Sequence, residues 1–371
     1  MKINLTTDKD KHIDYSLVSI WLVCIVLALF YTLKFLYISA SRIGYPFALE
    51  WMEGVSLIQV QRVLLEKPMY VQPSIYYVPA IYQPLYFYIS AFFAKLIGLH
   101  FFSLRLVSLM SSLGTMLIAG RIVYLRTKKA LSVLLATGLF AGTFYLSGGW
   151  FDIARVDMFA IFLFLMSLNL VCFKRPLYFF LGGVSFALAC LTKQTFFIMA
   201  LFLCVGILLS APKISKYFFL SFVSVSLIGV LSFVKLFGKW YVFYVFLLPE
   251  RHVLFQGINS FFVFLKSFAL DSIIYVFPLP VFLGMLYFFS LPFSKSLRIK
   301  EPAIFWRSPY LFWNIIICGT LVVSGAGFSN PGGYKNVLLP FYTLLWHYRK
   351  SHYCKLVYFY GTLCRLLPDM D

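Results

Sequence analysis

"LYFYISAFFAKLIGL", residues 85–99, is the stretch on which the topology of this chain turns. It is apolar enough to be taken for a membrane span. As a helix, however, it would rise only about 22 Å, short of a hydrocarbon core about 30 Å thick. Lys95 would add roughly 2.5–3.5 kcal/mol at mid-membrane. An amphipathic helix lying in the interface meets neither objection.

The choice matters because the rest of the chain is so apolar. Hydrophobic residues make up 61% of the 371 positions, aromatic residues 20% and charged residues only 12%. A soluble domain carries about 25% charge, so the composition is that of an integral membrane protein. Apolar runs near 17–40, 104–124, 130–148, 157–173, 177–191, 195–211, 217–236, 270–291, 310–326 and 336–348 are candidate spans. The expected fold class is all-α and polytopic, with about ten transmembrane helices plus interfacial helices in the first outer loop. The first run is longer than a signal-peptide core of roughly 7–15 residues and reads as a retained span. Residues 1–349 read as one membrane domain and 350–371 as a short cytoplasmic tail, for which truncation is one explanation. The cysteines form no C-x-x-C pair, and most lie in apolar runs where Cys behaves as a small hydrophobe.

With 85–99 in the interface, the loops sort by charge. "KDKH" (9–12 region), "RTKK" (126–129), "KR" (174–175), "PKISK" (212–216), "SKSLRIK" (294–300) and "YRK" (348–350) fall on one face, which the positive-inside rule makes cytoplasmic. Making 85–99 a span would flip every loop after it. The net charge of +19 is therefore a topology signal spread between spans, and no nucleic-acid partner is expected.

The other face collects the unusual loops. Glu50 and Glu53 in "LEWMEG" are spaced i, i+3, so on a helix they would share a face. Two like carboxylates near a low-dielectric boundary raise each other's proton affinity, which suits a general base; solvated charges on an interfacial helix would look the same. "FDIARVD" (151–157) packs Asp152, Arg155 and Asp157 between two apolar runs. Ionisable groups at membrane depth point to function, although an Asp–Arg pair could also simply stabilise a tight loop. Lys193 and Gln194 in "LTKQT" stand at the outer end of a short span, where a lysine either snorkels or binds a phosphate. In "SNPGGYKNVLLP", Pro331, Gly332 and Gly333 favour a turn that would bring Tyr334, Lys335 and Asn336 to a helix start, a ready anion site or a plain connection. Tyr82 belongs to a tyrosine-rich stretch (76–88), a pattern that is more often an aromatic belt than a sugar platform.

The order of these motifs resembles that of the GT-C glycosyltransferases, polytopic enzymes that take a sugar from a polyprenyl-phosphate carrier. "LEWMEGVSLIQVQRVLLEKPMYV" and "YQPLYFYISAFFAKLIGLHFFSLRLVSLMSSLGT" are similar to the acidic first outer loop and in-plane helices of that fold. "WFDIARVDMFAIFL" resembles its second outer loop. The narrower resemblance, from about 45 to about 345, is to a bacterial branch of family 39-like transferases, relatives of protein mannosyl- and aminoarabinose transferases. Gln83 departs from that pattern, standing where many relatives have a basic residue, and the tail 350–371 matches nothing in it.

The resemblance implies inverting transfer of a hexosyl or pentosyl group from a polyprenyl-phosphate-sugar donor to an envelope lipid, glycan or protein, at the outer face of a bacterial inner membrane. It also implies a cytoplasmic N-terminus and membrane lipids as the surroundings. On it, Glu53 is expected to be the base, with Glu50 or Asp157 orienting it. Arg155, Lys193 and Lys335 are expected on the phosphate, Asp152 and Tyr82 on sugar or acceptor, and Gln194, Tyr334 and Asn336 among the substrate contacts. No cofactor is firmly implied, and a divalent metal stays open. The rival reading is a secondary transporter or flippase of lipid-linked sugars, which predicts inverted repeats and charges near mid-membrane.

Overall fold

The computed structural model describes residues 15–250, 309–328 and 334–348. The candidate span at 270–291, the turn Pro331–Gly333 and the tail 350–371 lie outside the described residues. In chain order the helices are α1 (Tyr15–Arg42), α2 (Trp51–Leu64), α3 (Leu85–Ile97), α4 (Phe101–Thr127), α5 (Ala130–Leu146), α6 (Val156–Val171) and α7 (Pro176–Cys190). They continue with α8 (Phe196–Ser210), α9 (Pro212–Phe237), α10 (Lys239–Val242), a π-helical turn (Phe243–Leu247) and α11 (Leu248–Glu250). After the break come α12 (Pro309–Phe328), a 3₁₀ turn (Lys335–Leu338) and α13 (Leu339–Tyr348). No strand occurs among the described residues; Ser74 and Tyr77 make an isolated bridge. The chain is an all-α, multi-pass membrane protein. Each candidate span within the described residues coincides with a helix, and the last, 336–348, begins as the 3₁₀ turn.

Local chemistry sets the helix ends. Pro176 and Pro212 open α7 and α9 at the first turn, where the missing N–H costs nothing. Lys128 closes α4 with a left-handed backbone, φ 54°. Of the helices, α1, α4, α9 and α12 are long and apolar enough to cross a bilayer alone, while α5 to α8 are apolar but shorter. α1 packs on α5, α4 on α5 and α6, α7 on α6 and α9, and α8 on α12. Two glycines permit the closest approaches. A Cβ on Gly138 would lie 2.4 Å from the Ala28 backbone, and one on Gly183 would lie 2.4 Å from the Phe218 carbonyl.

Contacts between distant residues decide the direction of the spans. Ser108 Oγ donates to the Arg155 carbonyl at 3.1 Å, and Arg121 pairs with Asn169 farther along, so α4 and α6 run the same way. Arg42, the last residue of α1, meets Asp152 just before α6. The segment 43–100 therefore begins and ends at one face of the bundle, called here the site face. Tyr86 Oη reaches the Leu104 carbonyl at 3.1 Å, so α3 starts against the first turns of α4. It buries Tyr86, Phe87, Ala91 and Ala94 and exposes Phe92, Leu96 and Ile97. Helix α3, at 13 residues, packs beside the start of α4, and the interfacial reading of 85–99 agrees with these contacts.

Candidate active site

The site is built where the loops before α2, α6 and α8 meet. Glu50 is the N-cap of α2, and its carboxylate accepts the Met52 N–H at 3.1 Å. Its backbone is extended, φ −142°, so the helix has not yet begun at Glu50. Glu53, one turn inside, is wholly buried. It accepts four hydrogen bonds: Arg105 Nε at 2.9 Å, Arg105 Nη2 at 2.7 Å, Leu49 N at 2.6 Å and Ala154 N at 2.7 Å. Arg105 is equally buried and spends its other N–H groups on the carbonyls of Tyr45 and Phe47, both at 2.6 Å. This one ion pair ties the α1–α2 loop, α4 and the loop before α6 together. Burial works to raise the Glu53 pKa, but the hydrogen bonds from Arg105 and the amides of Ala154 and Leu49 outweigh it and hold it below the usual glutamate value.

Glu50 has the opposite character. Its side chain keeps 15% of its surface, and Arg155 Nη1 approaches its Oε2 at 3.2 Å. Burial raises its proton affinity, and Arg155 offsets only part of that, so it titrates above an ordinary glutamate. Glu53 and Asp157 push in the same upward direction. Arg155, the N-cap of α6, is only 4% exposed; it donates from Nη2 to Tyr82 Oη at 2.7 Å. Its guanidinium lies 5.2 Å from the Tyr82 ring centroid and 4.6 Å from that of Trp150, held between two aromatic faces.

Arg155 also links Glu50 to Asp157, whose Oδ2 is 4.0 Å from its Nε. Asp157 is 1% exposed, and its Oδ1 accepts Lys193 Nζ at 2.6 Å and Asn336 Nδ2 at 3.0 Å. Its Oδ2 is buried with no hydrogen bond. Gln194 Nε2 donates to the Ile81 carbonyl at 2.6 Å, docking the Lys193 turn onto the segment that carries Tyr82. Arg42 grips Asp152 through Nε at 2.9 Å and through Nη2. The result is an alternating row, Glu50–Arg155–Asp157–Lys193, flanked by Arg42–Asp152 and Arg105–Glu53.

The structure brings most of the expected residues together, in unequal surroundings. Glu53, expected as the base, is saturated and sealed from solvent, and the reachable carboxylate is Glu50. Despite the i, i+3 spacing their surroundings differ, because Glu50 caps the helix with part of its side chain exposed and Glu53 is wholly buried. Asp152, expected on sugar or acceptor, is buried against Arg42. Asp157, Lys193 and Asn336 form one cluster, with Gln194 beside it. Tyr334 is 53% exposed, its ring 6.0 Å from that of Trp150, and Lys335 is half-buried in the 3₁₀ turn that carries Asn336. Sequence reasoning missed Arg42 and Arg105. Arg105 had a signal: an arginine in the apolar run of a candidate span needs a partner. Among the described residues no group of three or more His, Cys, Asp or Glu forms a metal-binding cluster.

No family model and no curated protein matches the chain by sequence. By structure, the fold is similar to ArnT from Cupriavidus metallidurans, crystallised with bound undecaprenyl phosphate, with a TM-score of 0.57 at 15% identity. The match covers 92% of this chain and 61% of that one, so this chain spans about three-fifths of its neighbour's length. At that identity the likeness shows the fold alone: a polytopic, helical membrane architecture.

Proposed function

We propose that the protein transfers a sugar from a polyprenyl-phosphate donor to a hydroxyl acceptor at the site face, with that face extracytoplasmic, in a bacterial inner membrane. The observation that carries this reading is the row Glu50–Arg155–Asp157–Lys193, in which the one carboxylate with raised proton affinity and partial exposure is placed directly against a buried cation. The likeness to a fold crystallised with undecaprenyl phosphate supports a lipid-phosphate donor. The excess of Lys and Arg on the opposite loops supports the sidedness and a cytoplasmic N-terminus.

In this mechanism the acceptor oxygen attacks the anomeric carbon and loses its proton to Glu50. The bond from that carbon to the phosphate oxygen breaks, leaving polyprenyl phosphate with one more negative charge. A single displacement inverts the anomeric centre. Arg155, Lys193 and Lys335 supply positive charge where the phosphate leaves. Asp157 holds Lys193, while Tyr82 and Tyr334 line the approach. Glu53 acts through position: with Arg105 it fixes α2, and so Glu50. The four ion-paired cations, Arg42, Arg105, Arg155 and Lys193, are matched by four carboxylates. A bound phosphodiester adds a negative charge, which raises the Glu50 proton affinity further and favours proton uptake.

The test is transfer by purified protein in vesicles containing a panel of polyprenyl-phosphate sugars, read as released polyprenyl phosphate. Glu50→Gln should lower turnover by about 10²- to 10⁴-fold, the usual worth of a general base. Full turnover by that variant would remove Glu50 from the mechanism.

A further inference from the structure

At the end of the bundle away from the site lies a cavity of about 230 Å³. It is walled by the last turns of α4, α6 and α8 and the first turns of α7 and α12, with Ile122, Val171, Phe179, Ile207 and Phe312 supplying an apolar lining and Lys174 at its rim. An apolar cavity of about 150 Å³ already takes up benzene in preference to water, so this one suits a hydrocarbon chain. The surroundings select the head that such a chain would carry. Lys128, Lys129, Lys174, Arg175, Lys213 and Lys216 are exposed on the turns at this end. The described carboxylates, Glu50, Glu53, Glu66, Asp152, Asp157 and Glu250, all belong to segments at the site face. Helices α7, α9 and α12 also begin here, so their positive dipole ends add to the same potential.

We infer that this cavity seats one acyl chain of an anionic phospholipid from the leaflet opposite the site, with its phosphate at Lys174. The inference is independent of the transfer reaction, since it draws on no residue of the site. The distal end of a long polyprenyl chain would fit the same lining but has no need of Lys174, and so would show no preference for a charged head. Lys174 stands at the junction of α6 and α7 with a left-handed backbone, φ 51°, which turns the chain sharply at the cavity rim.

The experiment is native mass spectrometry of the purified full chain in detergent, titrated with equal amounts of phosphatidylglycerol and phosphatidylcholine of the same acyl composition. The parent should retain one phosphatidylglycerol with about fivefold preference, the effect expected of one basic residue at a lipid surface. Lys174→Glu should lower the preference, and Lys239→Glu, an equal charge change in α10 just beyond the far end of α9, should leave it unchanged. Ser210→Trp, which fills the cavity from α8, should reduce retention of that lipid. Equal retention of the two lipids by the parent, or an undiminished preference in Lys174→Glu, would overturn the assignment.

Discussion

Replacing Glu53 by Gln separates a structural carboxylate from a catalytic one. The substitution removes the charge opposite Arg105 in a wholly buried pair. It also turns one acceptor oxygen into an NH₂ group facing donors that Glu53 Oε1 and Oε2 now satisfy, from Arg105, Leu49 and Ala154. Breaking a buried pair from one side costs about 3–5 kcal/mol, a large share of a total stability of about 5–15 kcal/mol. Glu50→Gln should cost no more than about 1 kcal/mol, because Arg155 keeps Tyr82, Glu50 is partly solvated, and the Met52 cap bond can still form. Thermal unfolding in mild detergent and sugar transfer in vesicles should then dissociate. Glu53→Gln unfolds at markedly lower temperature, and its residual folded fraction still transfers. Glu50→Gln unfolds near the parent temperature and does not transfer. The opposite pair of results, a stable but inactive Glu53→Gln and an active Glu50→Gln, would return the base to Glu53 and refute the assignment.

The raised proton affinity of Glu50 places the acid limb of the rate profile above the pH at which an ordinary glutamate titrates, with activity lost as pH falls through it. Arg155→Gln removes the opposing cation and should move that limb further up in pH, besides slowing turnover. The lowered Glu53 pKa has the opposite sign for stability: its contribution is present above the unfolded-state glutamate pKa and is lost as pH falls through the folded value. The stability gap between parent and Glu53→Gln should therefore narrow in acid, which unfolding scans across pH can measure. Lys193→Met should destabilise by about 3 kcal/mol by leaving buried Asp157 with Asn336 as its remaining close donor, and adding Asp157→Asn should recover much of that loss in a double-mutant cycle. Gly183→Ala should cost about 1–3 kcal/mol by forcing α7 away from α9, seen in the same unfolding assay.

Run length and charge are local quantities, so the sequence alone determined the membrane class, the span positions and the face on which loop chemistry gathers. Even the status of 85–99 followed from its length and Lys95. The partners did not, because they join residues far apart in the chain: Arg42 with Asp152, Glu53 with Arg105, and Asp157 with Asn336. Spacing i, i+3 made Glu50 and Glu53 look alike, yet a helix that starts between them sends one carboxylate to the rim and the other into the protein. Which carboxylate can exchange a proton depends on burial and on the donors around it. Both are set only when α2, α4 and the loop before α6 close on one another.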